Sequence, residues 1–553
     1  MEASNWWDYN MNGFRQDYSS SNPDLLYFDN ALDNSTAAQV VGGSGKEATS
    51  QAYFGRLNYD FNNLLLVQGN VRRDGNSNFG PNNRWGTFWS GSAGFKFSEL
   101  EVVKNLGFIS FGKVRVGYGE TGQWPVTTYW PYNSSILNTA MMDYTFDDAT
   151  ISSGLGPVQI PNPGLKWETV KMTNIGLDIA FFQNQLKLTV DYFNKINEDM
   201  IMAQQVTSIA GTYTITGNQA GELGTTGITS TYPIVNYGSV SNKGIETTID
   251  YVKQIGNLKI TSGVNFTFQN NEILELAADS TIQGSVHDVS GITISKVGHP
   301  IGCFRGYQFD GLFREGDPMV YNNRSGRYVF ADQPYYIDGT DTIYALPYAE
   351  AGDAKWVDVN GDGQWDQNDY VYLGSYIPKF VFGFNLGLEY KGIDISMFWQ
   401  GVAGNKIFNG VKRWTYDWQV LSNHAAELSD RYHLPIEYNG VVIDEGNLES
   451  DLPDLRPQNW NRPSTLYLED GSYLRLRTLT VGYTLPGAWT SKVGVGRFRI
   501  YFIGKNLLTF TKYTGYDPEV ANIGYPSDPK LAGIDVAGYP QSKMYTVGIN
   551  LEF

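Results

Sequence analysis

Asp358, Asn360, Asp362, Asp366 and Asp369 stand at positions 1, 3, 5, 9 and 12 of a twelve-residue stretch, with Gly363 at position 6. That is the spacing of a calcium-binding EF-hand loop, in which Gln364 at position 7 supplies its backbone carbonyl. Calcium is a hard cation that takes six to eight oxygens, and this set can furnish them. Position 12 carries Asp369 where a bidentate Glu is usual, so closure of the cage by its shorter side chain is the weak point. The competing reading is an Asn/Asp/Gly turn whose side chains satisfy their own backbone.

A second group is aromatic. Trp124, Trp130, Trp414, Trp418 and Trp460 fall in stretches read below as outer loops, with Tyr129, Tyr132 and Tyr416 beside them. Flat rings can stack on the apolar faces of sugars, and these tryptophans are the candidate substrate contacts. Packing of the loops, a membrane girdle or contact with a partner protein would use the same residues. Arg475 and Arg477 alternate with Leu474 and Leu476, which puts both guanidinium groups on the polar face of a strand, beside Tyr473. There they can pair with acids of a plug or of neighbouring strands. No GxSxG, HExxH or phosphate loop is present, and four His and the single Cys303 argue against a catalytic or metal cluster of those residues. The chain is not read as an enzyme. Its net charge of -17 argues against nucleic acid as a partner.

The elements that would position these residues are strands. Leu186, Leu188, Val190 and Tyr192 alternate with Lys187, Thr189 and Asp191; Leu258, Ile260, Val264, Phe266 and Phe268 alternate with Lys259, Thr261, Asn265 and Thr267. Phe380, Phe382, Phe384, Leu386, Leu388 and Tyr390 oppose Val381, Gly383, Asn385, Gly387 and Glu389, and Tyr545, Val547, Ile549, Leu551 and Phe553 close the chain in the same way. A period of two places each set on one side of a sheet. Strands are expected near 51–61, 64–73, 84–97, 107–118, 167–182, 185–201, 237–252, 258–269, 379–390, 393–401, 471–485, 497–506 and 543–553. Between them, tight links such as Asn62-Asn63 and Lys391-Gly392 alternate with long connections at 119–166, 202–236, 270–378, 402–470 and 507–542.

That parity discriminates. Aromatics at 14% and 61 Gly in 553 residues suit a soluble sandwich or propeller as well as a membrane barrel. Only the barrel has reason to alternate short periplasmic turns with long outer loops. The expected fold class is therefore all-β, a transmembrane antiparallel β-barrel in a bacterial outer membrane, its apolar face on lipid and its last strand running down to the periplasm. The absence of an 18-residue apolar run is consistent with spanning by strands. Residues 1–50 are expected to be an N-terminal loop or strand segment, and 51–553 the barrel.

Three segments resemble the SusC/RagA family of TonB-dependent transporters. They are Leu468-Glu469-Asp470-Gly471-Ser472-Tyr473-Leu474-Arg475-Leu476-Arg477, running on to Gly482-Tyr483-Thr484-Leu485-Pro486; Gly504-Lys505-Asn506-Leu507-Leu508-Thr509-Phe510 with Tyr513-Thr514-Gly515-Tyr516-Asp517-Pro518-Glu519; and Asp358-Val359-Asn360-Gly361-Asp362-Gly363 leading to Pro378-Lys379-Phe380. Arg72-Arg73-Asp74-Gly75-Asn76 and Arg84-Trp85-Gly86 are similar to the family as well. The resemblance implies nutrient uptake, of oligosaccharides or, in some members, peptides, through a barrel of about 22 strands with an internal plug. It implies a SusD-like lipoprotein as a lid over the outer mouth, and energy from TonB–ExbB–ExbD acting on the plug. A structural or secretion barrel without energised import is the alternative. The plug and the first strands have no counterpart here, so this chain is expected to supply the last 13–14 or so strands. An N-terminal plug and barrel polypeptide of the same transporter is expected to pair with its edges.

Overall fold

The structure is a computed structural model that describes residues 2–15, 39–124, 130–133, 136–138, 144–145, 151–152, 155–157, 161–203, 234–276, 282–286, 289–416, 423–519 and 531–553. The alternating segments form one 14-stranded sheet in which strands neighbour one another in chain order. They are β1 (Glu2–Arg15), β2 (Gln39–Phe61), β3 (Leu65–Asn76), β4 (Trp85–Phe95), β5 (Ile109–Gln123), β6 (Glu168–Phe181), β7 (Leu186–Glu198), β8 (Ser239–Ile255), β9 (Leu258–Glu275), β10 (Phe380–Tyr390), β11 (Ile393–Ala403), β12 (Tyr473–Thr484), β13 (Arg497–Thr511) and β14 (Met544–Glu552). From β9 to β14 every neighbouring pair is antiparallel, as are β1–β2 and β2–β3. All thirteen expected strands are present, and β1 is the additional one. Its alternation is weak, but strand pairing is made by backbone groups, and Glu2 to Arg15 run in unbroken register against Ala52 to Gln39.

Turn chemistry sets the short links. Asn62 and Asn63 both have positive φ, 52° and 55°, which joins β2 to β3 with the twist a two-stranded link demands. At Lys391-Gly392 the glycine has φ 87°, and a Cβ there would come 2.5 Å from the carbonyl oxygen of Thr484. Register then carries the pattern from strand to strand: Phe384 lies opposite Val264 and Trp399, and Asn385 opposite Gly263 and Phe398.

Two compact units divide the chain. The first comprises Met1–Gly94, Val116–Thr173 and Lys195–Ser239. Its core lies at the ends of strands, where Phe79, Phe88, Leu165 and Trp167 are buried and Trp124, Ile201 and Ile234 pack on them. The second comprises Phe95–Arg115, Asn174–Asn194 and Val240–Phe553. Its main core is made largely by long connections: Ile292, Phe304, Phe408, Tyr416, Leu428, Trp460, Tyr467, Leu531 and Ile534. The wall is the reverse of a soluble sheet, because its apolar face is bare. Leu57 is 75% exposed and Val547 74%, values that a hydrocarbon environment makes favourable.

Candidate functional site

The arginines of β12 gather the most elaborate polar cluster of the second unit. The register of β12 slips between Leu476 and Thr478 against both neighbours, so Arg477 sits in a bulge. A bulge re-aims its side chain and flips the alternation that follows. Tyr473, Arg475 and Arg477 therefore share the polar face with Thr478, Thr480 and Gly482, while Leu474, Leu476, Leu479, Val481 and Tyr483 share the apolar one.

Arg475 is 3% exposed. Its Nη2 donates to Asp517 Oδ1 at 2.6 Å, its Nη1 to Glu519 Oε2 at 2.5 Å and its Nε to Thr509 Oγ1 at 3.0 Å. Arg477 donates to Glu519 as well, to Gln400 Oε1 at 3.0 Å and to Asn506 Oδ1 at 3.3 Å. The Tyr473 hydroxyl donates to Glu519 Oε1 at 2.6 Å. Asp517 accepts further bonds from the backbone N–H groups of Glu519 and Gln541, both at 2.9 Å. Burial pushes the Asp517 carboxyl up, but the Arg475 guanidinium and the two backbone donors outweigh it and hold it below the usual carboxylate range. The expected acids for these arginines were those of a plug or of adjacent strands. The structure supplies them from the connection between β13 and β14, with Gln400 and Asn506 as the contributions of adjacent strands.

The same connection is pinned a second time. The Tyr513 hydroxyl donates to Asp535 Oδ2 at 2.5 Å, and Thr514 donates to Glu469 from both its N–H and its hydroxyl. Burial, and then the bond to Asp535, push the Tyr513 hydroxyl well above its ordinary value. Sequence reasoning missed a further hub, Asp353. It is fully buried and accepts from Arg456 Nη1 at 2.6 Å, Asn459 Nδ2 at 3.1 Å and the backbone N–H of Glu350 at 2.8 Å. Its signal was weak, since its partners lie 103 and 106 residues away.

In the 358–369 loop, Asp358 accepts from the N–H groups of Gly361 and Gly363, and Asp362 from that of Gln364. Asn360 accepts from the N–H of Asp362, and Asp366 from that of Asn368. Asp369, fully buried, accepts from Val359 N at 2.9 Å and from Asp366 N at 2.9 Å. The acid at position 12 thus closes the loop through backbone donors. Among the described residues no group of three or more His, Cys, Asp or Glu converges as metal ligands would.

The tryptophans separate. Trp460 is a correction: it is completely buried, its Nε1 donates to the Asp454 carbonyl at 2.8 Å, and its ring meets Tyr416 edge-on at 5.1 Å. It offers no face to a ligand, because long loops outside a membrane need an apolar core of their own. Trp124 is half-buried against the Phe79 cluster. Trp130 is 38% exposed, and Trp414, on the short helix Gly410–Tyr416, is 44% exposed. Trp418 lies outside the described residues.

Residues 2–507 match the family model described as TonB dependent receptor-like, beta-barrel. The chain belongs to the TonB-dependent receptor-like β-barrel family. It is therefore an integral outer-membrane protein, and its apolar sheet face is the lipid face. TonB-dependent receptor P3 of Formosa agariphila is 29% identical over 509 residues, covering 90% of this chain and 45% of that one. The TonB-dependent receptor SusC of Bacteroides thetaiotaomicron is 26% identical over 513 residues, 91% of this chain and 44% of SusC. The solved RagAB peptide transporter matches in fold with a TM-score of 0.71 at 21% identity, over 100% of this chain and 55% of that one. The likeness to SusC and to the RagAB fold agrees with the resemblance of the β12–β14 motifs to the SusC/RagA branch. The chain spans about half the length of the curated relatives it matches.

Proposed function

We propose that this chain is the barrel-forming part of a TonB-dependent importer of nutrients, acting on oligosaccharides. The observation that carries the reading is the match of residues 2–507, which hold β1 to β12 and most of β13 of the 14-stranded wall, to the TonB-dependent receptor barrel. In this reading further strands complete the wall around an internal plug, TonB–ExbB–ExbD acts on the plug, and a SusD-like lipoprotein closes the outer mouth. Support for a lipoprotein partner comes from the likeness to SusC and to RagAB. Trp130 and Trp414, both exposed residues in the connections, are the aromatic side chains that favour sugars in this reading. A peptide substrate is the second reading, favoured by the fold match to a peptide transporter.

The test is uptake. Cells lacking the gene are compared with the parent for growth on, and uptake of, labelled oligosaccharides and labelled oligopeptides. Loss of oligosaccharide uptake alone is the expected result; loss of peptide uptake alone would replace it with the second reading, and no loss of either would overturn import. Calcium at Asp358, Asn360, Asp362, Gln364, Asp366 and Asp369 is a separate proposal resting on their spacing. Each Asp369 oxygen accepts one backbone N–H and keeps a further lone pair with which it could meet the ion.

A further inference from the structure

Glycine is a weak strand residue, and most wall glycines have a steric reason. A Cβ at Gly86 or Gly122 would come 2.5 or 2.2 Å from the ring of Phe88, and one at Gly176 would come 2.6 Å from both Arg115 and Asp191. Gly55, Gly69 and Gly91, on the neighbouring strands β2, β3 and β4, have no such reason. A Cβ at Gly69 meets nothing within 4 Å, and those at Gly55 and Gly91 meet only ordinary contacts at 3.9 and 3.7 Å. None of the three has a positive φ. Their effect is to leave a depression. With Leu57, Val71, Trp89, Tyr118 and Glu120 they line a groove of about 850 Å³, within the range of about 300–1,000 Å³ typical of small-molecule sites.

The groove opens on the lipid face. Arg56, Asn70 and Ser90 also border the groove, but they alternate with the apolar lining residues along β2, β3 and β4, and their polar groups bond to one another: Arg56 Nε donates to Asn70 Oδ1 at 2.7 Å, and Asn70 Nδ2 to Ser90 Oγ at 3.0 Å. Leu57 and Trp89, 75% and 69% exposed, stand on the groove side. Its polar end is Glu120, which accepts from the Tyr118 hydroxyl at 2.7 Å, near the outer end of β5. The apolar end, at Leu57 and Gly69, runs toward the short β2–β3 turn. An apolar slot that begins at the outer interface and descends into the hydrocarbon layer is continuous with the bilayer, where acyl chains are the matter in contact.

We propose that this groove is a resident lipid site: one acyl chain of a membrane lipid lies over Gly55, Gly69 and Gly91, flanked by Leu57, Val71 and Trp89, with its head at Tyr118 and Glu120. The proposal rests on the outer-membrane location and not on import. The test uses the protein purified in detergent from outer membranes, with whatever chains accompany it. Acyl chains retained per protein after exhaustive washing are measured for the native protein and for Gly69→Leu with Gly91→Leu, which fills the slot where a Cβ has room. The native protein is expected to retain an extra acyl lipid that the filled variant loses, both showing the same heat-modifiable migration. Equal retention overturns the site. A second measurement needs no filled variant: brominated-chain phosphatidylcholine is mixed into nanodiscs and tryptophan quenching is followed in time, the Trp89 contribution taken as the difference from Trp89→Phe. A held chain delays quenching of Trp89 relative to the other lipid-facing tryptophans; quenching at the same rate means ordinary exchanging lipid and rejects the proposal.

Discussion

At Arg475, removal of the guanidinium takes from Asp517 the arginine it is paired with and leaves Glu519 with Arg477. Breaking a buried ion pair on one side costs about 3–5 kcal/mol. Arg475→Ala is therefore expected to free the β13–β14 connection, read as faster protease cleavage within 512–543 while the wall stays folded; unchanged cleavage would show the clamp to be incidental. The same clamp has a pH sense. Asp517 has its folded-state carboxyl held below the ordinary 3.8, so its contribution is fully present above that value and is lost as pH falls below it toward the folded value. Protection of the connection is expected to be flat from neutral pH down to about 4 and to fall only in stronger acid; a loss already near pH 6 would point to another group. At Asp369, substitution by Ala removes the acceptor of two backbone N–H groups. A hydrogen bond to a charged acceptor contributes about 1.5–3 kcal/mol, and less at Val359, which is exposed to water. Loosening of the 358–369 loop is expected without any metal, by hydrogen exchange. Calorimetry at millimolar calcium separates the second possibility: heat of binding in the native protein, abolished in Asp358→Ala, would establish the ion.

Strands and loops divide the physical roles. In β10, Phe384 lies on the apolar face and Asn385 on the polar one. A charge at mid-bilayer on the lipid face costs about 2–4 kcal/mol, and less on the lumen face. Phe384→Lys is expected to lower folding stability by that amount in denaturant titrations of refolded barrel, and Asn385→Lys by much less; equal losses would contradict the assignment of faces. The alternation was plain in the sequence because one face is fixed by hydrocarbon. The bulge at Arg477 was less plain, although two adjacent polar residues, Arg477 and Thr478, between apolar alternations are its trace. The loops were legible only in length. Their residues follow no period, and their core, from Ile292 to Ile534, is assembled from segments far apart in the chain.

For the whole molecule, the alternation of short and long links predicts that short links lie at the periplasm and long connections outside. Cys303, 1% exposed and pushed by burial up to about 11, is a silent thiol. Added cysteines can therefore be read without removing it. Glu437→Cys, exposed in the long connection before β12, is expected to react with an impermeant maleimide on intact cells, and Asn257→Cys, in the short β8–β9 turn, only after the outer membrane is opened. The opposite pattern would invert the topology.

The sequence by itself determined the class of fold, the run of strands from β2 to β14, the two faces of most of them and the membrane that the apolar face requires. It could do so because strand periodicity and turn chemistry are local, and because the bilayer imposes one rule on every strand. It also marked Arg475 and Arg477 as inward-facing. Tertiary structure alone decided their partners, since Asp517 lies 42 residues beyond Arg475 in chain but 2.6 Å away in space. It alone showed that Trp460 is core while Trp414 is 44% exposed, because an aromatic side chain has the same chemistry in both settings and only its neighbours tell them apart. And it alone showed which glycines make room for a neighbour and which leave a groove open, a distinction that depends on what lies across the strand.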